Sequence, residues 1–481
     1  MKEIETTGEF WSPAKPARRF WGTLKFRPGE GVILWLNGNF EPRPFPGRGM
    51  DVPVLNGRLF NGAPCTILDG FCQVETFLTE SGHHFRSEIA ARQMVLGLEL
   101  GNADDHEFSG MSIRFSHLDE WFDNPLTIDF PNRSFEDASI KWLPDSFDAS
   151  VDIDGVITRI QSFCSRSIPT IASREGATWA YNYKINIQSE ELHSLEWFMK
   201  AASSLRRFFI FMTGTGIYTL DCSMFAAPGG DRHQALPVYI PVAIPAVVRP
   251  EPRYFSTRHQ AVRGVLPDLL ASWFSKELQL SAVVNSYTDA LLLDGTSPDS
   301  IFLRTVQTLE HFHGLLWPEE SLYVAKPVWK KFLRWFKSSF PAELPEVAER
   351  DMLGLSSVKD IVVNRVAWLN NSSFRTRMLQ LFRSMPGREL MPVLGNPANL
   401  ESHLDQFILR LEATRHYLTH FSDKQRRLSF TADELEAVTL QCWAVLTFWL
   451  ARFLELNEEL AGDMALQASK AMFLVGLKER L

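Results

Sequence analysis

Apolar residues follow two different periods along this chain. Up to residue 240 or so they fall in short runs or alternate with polar positions, and Gly, Pro and Asn separate the runs. Alternation sends successive side chains to opposite faces of a pleated ribbon, so the pattern predicts strands. The predicted strands cover 22–27, 31–36, 66–77, 85–98, 111–115, 140–142, 156–163 and 179–187. Asn37-Gly38, Asn56-Gly57 and Asp154-Gly155 predict hairpins or turns, because Gly and Asn tolerate positive φ. One helix interrupts the strands at 190–207, followed by strand-like runs at 208–212 and 217–220.

Pro237, Pro241, Pro245, Pro250 and Pro252 exclude a regular helix between 235 and 252 and mark a crossing or linker. From 258 onward the apolar residues return every three or four positions, the period of an amphipathic helix. The predicted helices cover 258–279, 298–316, 320–338, 356–369, 373–384, 398–420, 432–457 and 462–479. Breaks fall at Met385-Pro386-Gly387 and Gly395-Asn396-Pro397, and Thr431-Ala432-Asp433-Glu434 reads as a capping box. The expected fold class is α+β. An antiparallel β-rich domain, sandwich or barrel-like, covers 1–250, a helical connector 251–295, and an all-α bundle 296–481.

With 481 residues the chain is too long for one small core, and 45% hydrophobic against 22% charged residues is ordinary for a folded protein. Five scattered cysteines with no CxxC argue for a reducing compartment and against a disulfide framework or zinc site. The polar start and the interruption of 435–456 by Glu436, Gln441 and Arg452 leave no signal peptide or membrane span, so a cytoplasmic location is expected. The net charge of −8 is uneven: 101–150 holds most of the acidity. The second half has basic runs instead, at Lys326, Lys330, Lys331, Arg334 and Lys337 and again at Arg375, Arg377, Arg383 and Arg388. Nucleic acid responds to such local fields rather than to the whole-chain charge.

Within the β-rich half, Gly214-Thr215-Gly216 lacks the Lys-Ser/Thr of a phosphate loop and reads as a tight turn. His83 and His84 are adjacent on a strand and point to opposite faces, which argues against a shared metal. Trp21, Trp35, Trp121, Trp142 and Trp179 fit core positions better than a stacking platform.

The strongest chemical signal is Phe407-Ile408-Leu409-Arg410-Leu411-Glu412-Ala413-Thr414-Arg415-His416-Tyr417-Leu418-Thr419-His420. A guanidinium holds phosphate through a fixed charge and forked donors, and an imidazole moves protons near neutral pH. Arg followed by His at a spacing of five to seven also occurs at Arg253/His259, Arg304/His311 and Arg410/His416, so the spacing alone is weak. Arg415/His420 differs in its setting, late in an amphipathic helix and ahead of the basic loop Ser422-Asp423-Lys424-Gln425-Arg426-Arg427.

This layout resembles the HEPN ribonucleases, whose motif is Arg, a polar residue, three variable residues and His; Arg415, His416 and His420 occupy those places. Residues 302–313, followed by Trp317, resemble the first long helix of the HEPN domain in ApeA-type abortive-infection proteins. Residues 112–121 are similar to the amino-terminal domain that precedes HEPN in that family. The resemblance implies an endoribonuclease of bacterial anti-phage defence, acting without metal or cofactor on RNA, with tRNA one candidate. It also implies a symmetric homodimer with the motifs facing each other, and a trigger of phage origin acting on the N-terminal domain. On the residues themselves, His420 is the expected acid/base, Arg415 the phosphate clamp and His416 a second proton-transfer or phosphate-binding group. Glu310 and Gln307 are candidates to orient Arg415, and Lys424, Arg426 and Arg427 to touch RNA backbone. Two other readings remain open from sequence: an inactive HEPN scaffold that binds RNA, and a β-sandwich ligand-binding module with a structural helical half.

Overall fold

The computed structural model describes residues 1–39, 49–79, 82–102, 105, 108–122, 127–129, 139–141, 144–167, 180–226, 235–241, 255–292, 297–320, 322–339 and 358–478. It forms two compact units, Met1–Leu278 and Gln279–Leu481.

The first unit opens with β1 (Ile4–Trp11), β2 (Arg19–Arg27), β3 (Gly31–Asn37), β4 (Met50–Leu59), β5 (Pro64–Thr79) and β6 (Gly82–Leu96). They pair antiparallel in the order β1-β2-β3-β6-β5-β4, and β4 returns to β1 with Gly8 opposite Leu59, closing a barrel. Alternate residues point inward, among them Phe10, Leu24, Phe26, Leu34 and Ile89, and all of these are buried. Closure leaves no free strand edge and gives the alternating pattern its dry side.

The chain continues through β7 (Phe108–Phe115), α1 (Leu118–Phe122), β8 (Thr127–Asp129), β9 (Ser139–Lys141), β10 (Asp148–Ile153), β11 (Val156–Ser167) and β12 (Ala180–His193). Then come α2 (Leu195–Thr213), β13 (Thr219–Ala226) and β14 (Ala235–Tyr239). Six of these strands form an antiparallel run β10-β11-β12-β7-β13-β14, which meets the barrel where Val238 pairs with Val95; β8 and β9 pair separately. The Asp154-Gly155 turn has positive φ at both residues (54° and 85°), as a two-residue hairpin requires. Gly214 is a left-handed cap on α2 (φ 68°), its N–H on the Ile210 carbonyl at 2.8 Å, in keeping with a tight turn.

Two local expectations fail. Residues 208–212 are not a strand but the last turns of α2, where Phe208, Phe209, Ile210, Phe211 and Met212 are all buried. A helix buried on every side has no polar stripe, so a short apolar run within it cannot be told from a strand by period. Asn56-Gly57 is not a turn either: both lie inside β4. Asn56 donates to the Leu100 carbonyl at 2.9 Å, and a Cβ on Gly57 would stand 2.5 Å from the Phe10 ring. The tryptophans divide: Trp121 is fully buried, whereas Trp21 is exposed and Trp35 donates to Glu88 on the surface. Trp142, Trp179 and the side chains of His83 and His84 lie outside the described residues.

Helices account for the remainder: α3 (His259–Val262), α4 (Leu266–Leu292), α5 (Pro298–Leu316), α6 (Lys326–Ser339), α7 (Val358–Trp368) and α8 (Phe374–Arg383). They are followed by α9 (Gly387–Val393), α10 (Leu400–His420), α11 (Asp423–Arg426), α12 (Ala432–Phe453) and α13 (Glu458–Lys478). The boundary between the units falls inside α4. The buried helix α12 is central to the second unit, packing on α5 and α13, while α10 packs on α5 and α8. Tyr287 stacks on Trp443 at 4.2 Å and its hydroxyl meets Thr447. No described helix is long and apolar enough to cross a membrane.

Candidate active site

The helix that carries the Arg-His-x-x-x-His sequence is fixed at both ends. Asn399 caps α10 by accepting the Ser402 N–H at 3.0 Å, and Leu404, Phe407, Ile408 and Leu411 bury one face. Phe421 ends the helix in a left-handed conformation (φ 53°) with its N–H on the Tyr417 carbonyl at 2.7 Å. His420 therefore occupies the last turn and is exposed, while His416 is half-buried one turn earlier. Their rings lie 5.9 Å apart and 30° from coplanar. Two imidazoles on one face of one helix can serve the same phosphate.

Arg415 points elsewhere, into a cluster built by three helices. Its guanidinium donates to Glu310 of α5 at 3.0 Å, and the other oxygen of Glu310 accepts from Arg377 of α8 at 3.1 Å. Ser373 caps α8 by accepting the Thr376 N–H at 3.1 Å. The first turn of α8 thereby sets Phe374 and Arg377 three residues apart on one face. The Phe374 ring lies 5.0 Å from the Arg415 guanidinium carbon, and Arg377 donates also to Ser372. Two guanidiniums against one carboxylate leave a net positive charge in a partly buried place, with most of the forked donors uncommitted to it. That is the charge balance of an anion site. Gln307 is exposed and makes no hydrogen bond to Arg415.

The basic segment after α10 folds back onto it. Thr414 donates to the Arg410 carbonyl at 2.8 Å and accepts the Phe430 N–H at 2.9 Å. Lys424, Arg426 and Arg427, on and just after α11, are exposed.

The competing Arg/His pairs have other employment. Arg410 donates to Glu434 at 2.5 Å and lies 4.1 Å over the Phe430 ring, which makes it a brace for the cap of α12. Arg304 pairs with Asp289, and His311 is exposed. His259 is fully buried between Trp121 and Phe122, and burial pushes its basicity down; Arg253 lies outside the described residues. His313 is also buried, held by Gln380 at 2.8 Å, and desolvation lowers its pKa likewise. The cysteines are poor nucleophiles: burial pushes Cys65 and Cys222 up to about 12 and Cys164 up to about 11.

The family model described as ApeA N-terminal domain 1 matches residues 5–251, and the one described as Apea-like HEPN matches residues 303–460. The chain belongs to the ApeA family. Comparison with curated proteins and with solved structures gave no significant match. The ApeA N-terminal match covers the barrel and the second sheet, and the Apea-like HEPN match contains Glu310, Arg377, Arg415, His416 and His420. Of these, Arg377 had no distinguishing signal in the sequence, where it is one arginine in a basic run. Only the capping serine of α8 hints that its first turn is fixed in place.

Proposed function

We propose that this ApeA-like protein is an endoribonuclease of bacterial anti-phage defence that cuts RNA, tRNA among the candidates, with the 2′-hydroxyl as nucleophile. RNA carries its own attacking group, so the protein has to accept that proton, protonate the leaving 5′-oxygen and stabilise the phosphorane between. His420 is the acid/base and His416 the second imidazole, donating to phosphate or exchanging a proton with it. Arg415 supplies the charge that the phosphorane needs, and the arrangement adds Arg377 beside it. Glu310 sets the direction of both guanidiniums. The single observation that carries the reading is the Arg415–Glu310–Arg377 cluster adjoining two exposed or half-exposed imidazoles within the Apea-like HEPN segment. This chemistry requires no metal or cofactor.

Arg415 and His420 are five residues apart on a continuous helix, so they leave it about 140° apart. A site that uses both is therefore best completed by a second copy of the chain across a symmetric dimer. The N-terminal β-rich part is assigned the control role, answering a phage-derived trigger, since the acidity of 101–150 opposes phosphate.

The test is cleavage of total RNA by the full chain in EDTA with the ends mapped. Products with 2′,3′-cyclic phosphate and 5′-hydroxyl termini are expected. Arg415→Ala and His420→Ala should each lower cleavage at least about 10²-fold, and His416→Ala as much or less, with circular dichroism unchanged. A folded His420→Ala protein that cuts at the wild-type rate would remove α10 from the mechanism.

A further inference from the structure

Helix α6 is anomalous for a surface helix. Its sequence carries Lys326, Lys330, Lys331, Arg334 and Lys337 with no acidic residue, and no residue of it is buried. Among the described residues no carboxylate pairs with Lys326, Lys330, Lys331 or Arg334. Half of its apolar arc is used: Trp329, Leu333 and Phe336 are half-buried, and Trp329 donates to the Ala367 carbonyl of α7 at 3.2 Å. The other half faces outward. Val328, Phe332 and Trp335, at i, i+4 and i+7, form a row that is 57%, 36% and 60% exposed. Phe332 stacks on Trp329 at 4.8 Å and stands 5.7 Å from Trp335. On the helical wheel Lys331 lies beside this row, about 40° from Trp335, with Arg334 about 60° beyond it.

The start of α6 is also fastened to the proposed site. Asn370 bonds the backbone N–H and carbonyl of Val324 at 2.8 and 2.7 Å, and the Tyr323 hydroxyl accepts the Ser373 N–H at 3.0 Å. Ser373 is the cap of α8, the helix that presents Phe374 and Arg377 to Arg415 and Glu310. A segment held by one hydrogen bond to that cap and by two to Asn370, three residues before it, shares its frame.

We propose that α6 is a docking helix for single-stranded RNA, stacking bases on Phe332 and Trp335 and pairing phosphates with Lys331 and Arg334. It names the substrate-binding surface of the ribonuclease read above and rests on that reading. A row of aromatic rings flanked by cations that no described carboxylate pairs is the chemistry that takes unpaired bases and their backbone together. A membrane surface fits less well, because an interfacial helix buries its whole apolar face and α6 has committed half of that face to α7. A basic protein partner would be repelled by the positive charge of α6, which no described carboxylate offsets.

The experiment measures binding of a fluorescent, mixed-sequence single-stranded RNA to the full chain carrying His420→Ala, across a salt series in EDTA. On that background K331Q/R334Q should flatten the slope of log Kd against log salt by about 1.4, at ~0.7 per lost phosphate contact. F332L/W335L, which keeps the apolar row and removes the rings, should weaken binding at least about tenfold. All the altered side chains are exposed, and circular dichroism checks that α6 persists. Wild-type affinity and slope in both variants would overturn the proposal. So would binding to phosphatidylserine vesicles that the ring variant loses while RNA binding stays intact. Cleavage with the His420 side chain restored separates the two readings. Cutting with an unchanged KM in both α6 variants sinks the docking helix and leaves the ribonuclease. RNA held by α6 but never cut sinks the ribonuclease and leaves the docking helix.

Discussion

Glu310 decides what Arg415 can do. A lone guanidinium near a helix end is free to wander through solvent, whereas this one is held against a carboxylate and a phenyl ring, with a second guanidinium on the far oxygen. Glu310→Gln keeps the shape and removes the charge, so Arg377 and Arg415 would face each other without a counter-ion. We expect a loss of about 1–2 kcal/mol of stability in urea unfolding, since all three groups are only partly exposed. RNA cleavage should fall at least about tenfold, because a misplaced clamp no longer meets the phosphorane. Unchanged cleavage would show that Arg415 needs no orienting partner, and faster cleavage would mark Glu310 as a restraint. The sequence carried part of this site in legible form. Arg415, His416 and His420 stood out through the resemblance to the HEPN motif and the helix that bears them, the spacing alone being weak. Glu310 was one of two candidates on the earlier helix, beside Gln307. Arg377 did not stand out, because its partner lies 67 residues away and contacts over that distance leave no local pattern.

At the level of elements, periodicity worked where one face is dry and the other wet. α5 and α10 have a polar side to contrast with their buried one, and the predicted spans agree with the helices to within two residues. It failed in α2, where the run Phe208–Met212 has no wet side, and in β4, where Asn56-Gly57 is needed for close packing and not for a turn. The capping box of α12 was legible because its chemistry is local: Thr431 accepts the Glu434 N–H and Glu434 accepts the Thr431 N–H. Arg410 was not legible as its brace. Its hydrogen bond, together with those from Thr431, holds the Glu434 carboxyl down at about 2, against an ordinary 4.5. A carboxyl whose pKa is lowered on folding stabilises the fold fully above the ordinary value, and that stability disappears as pH falls from 4.5 toward 2. Glu434 is 42% exposed, so the contribution is screened and below about 1 kcal/mol. Glu434→Gln should therefore flatten the unfolding free energy between pH 4.5 and 2 relative to wild type, as followed by circular dichroism in urea. An identical acid slope in the variant would mean that the ion pair does not persist in solution.

For the whole molecule, the direction of α10's side chains bears on how many copies make one site. The helix runs unbroken to His420, and its left-handed end at Phe421 comes only afterwards, so nothing turns His420 back toward Arg415. Arg415 is moreover tied to Glu310, on the side of α10 that faces α5 and α8. If one copy supplies the clamp and its partner the imidazole, inactive variants should rescue each other. In a two-fold dimer of one Arg415→Ala chain and one His420→Ala chain, both defects fall in the same site and the second site is wild type. Coexpression with random pairing makes half of the dimers mixed, so the preparation should recover about a quarter of wild-type cleavage. Separately purified variants that cannot exchange subunits should stay inactive when combined. If each site lies within one chain, every chain in the coexpressed preparation carries a defect and no activity returns. A monomeric mass for the active wild-type protein would exclude the shared site by a separate route, since a composite site cannot form in one copy.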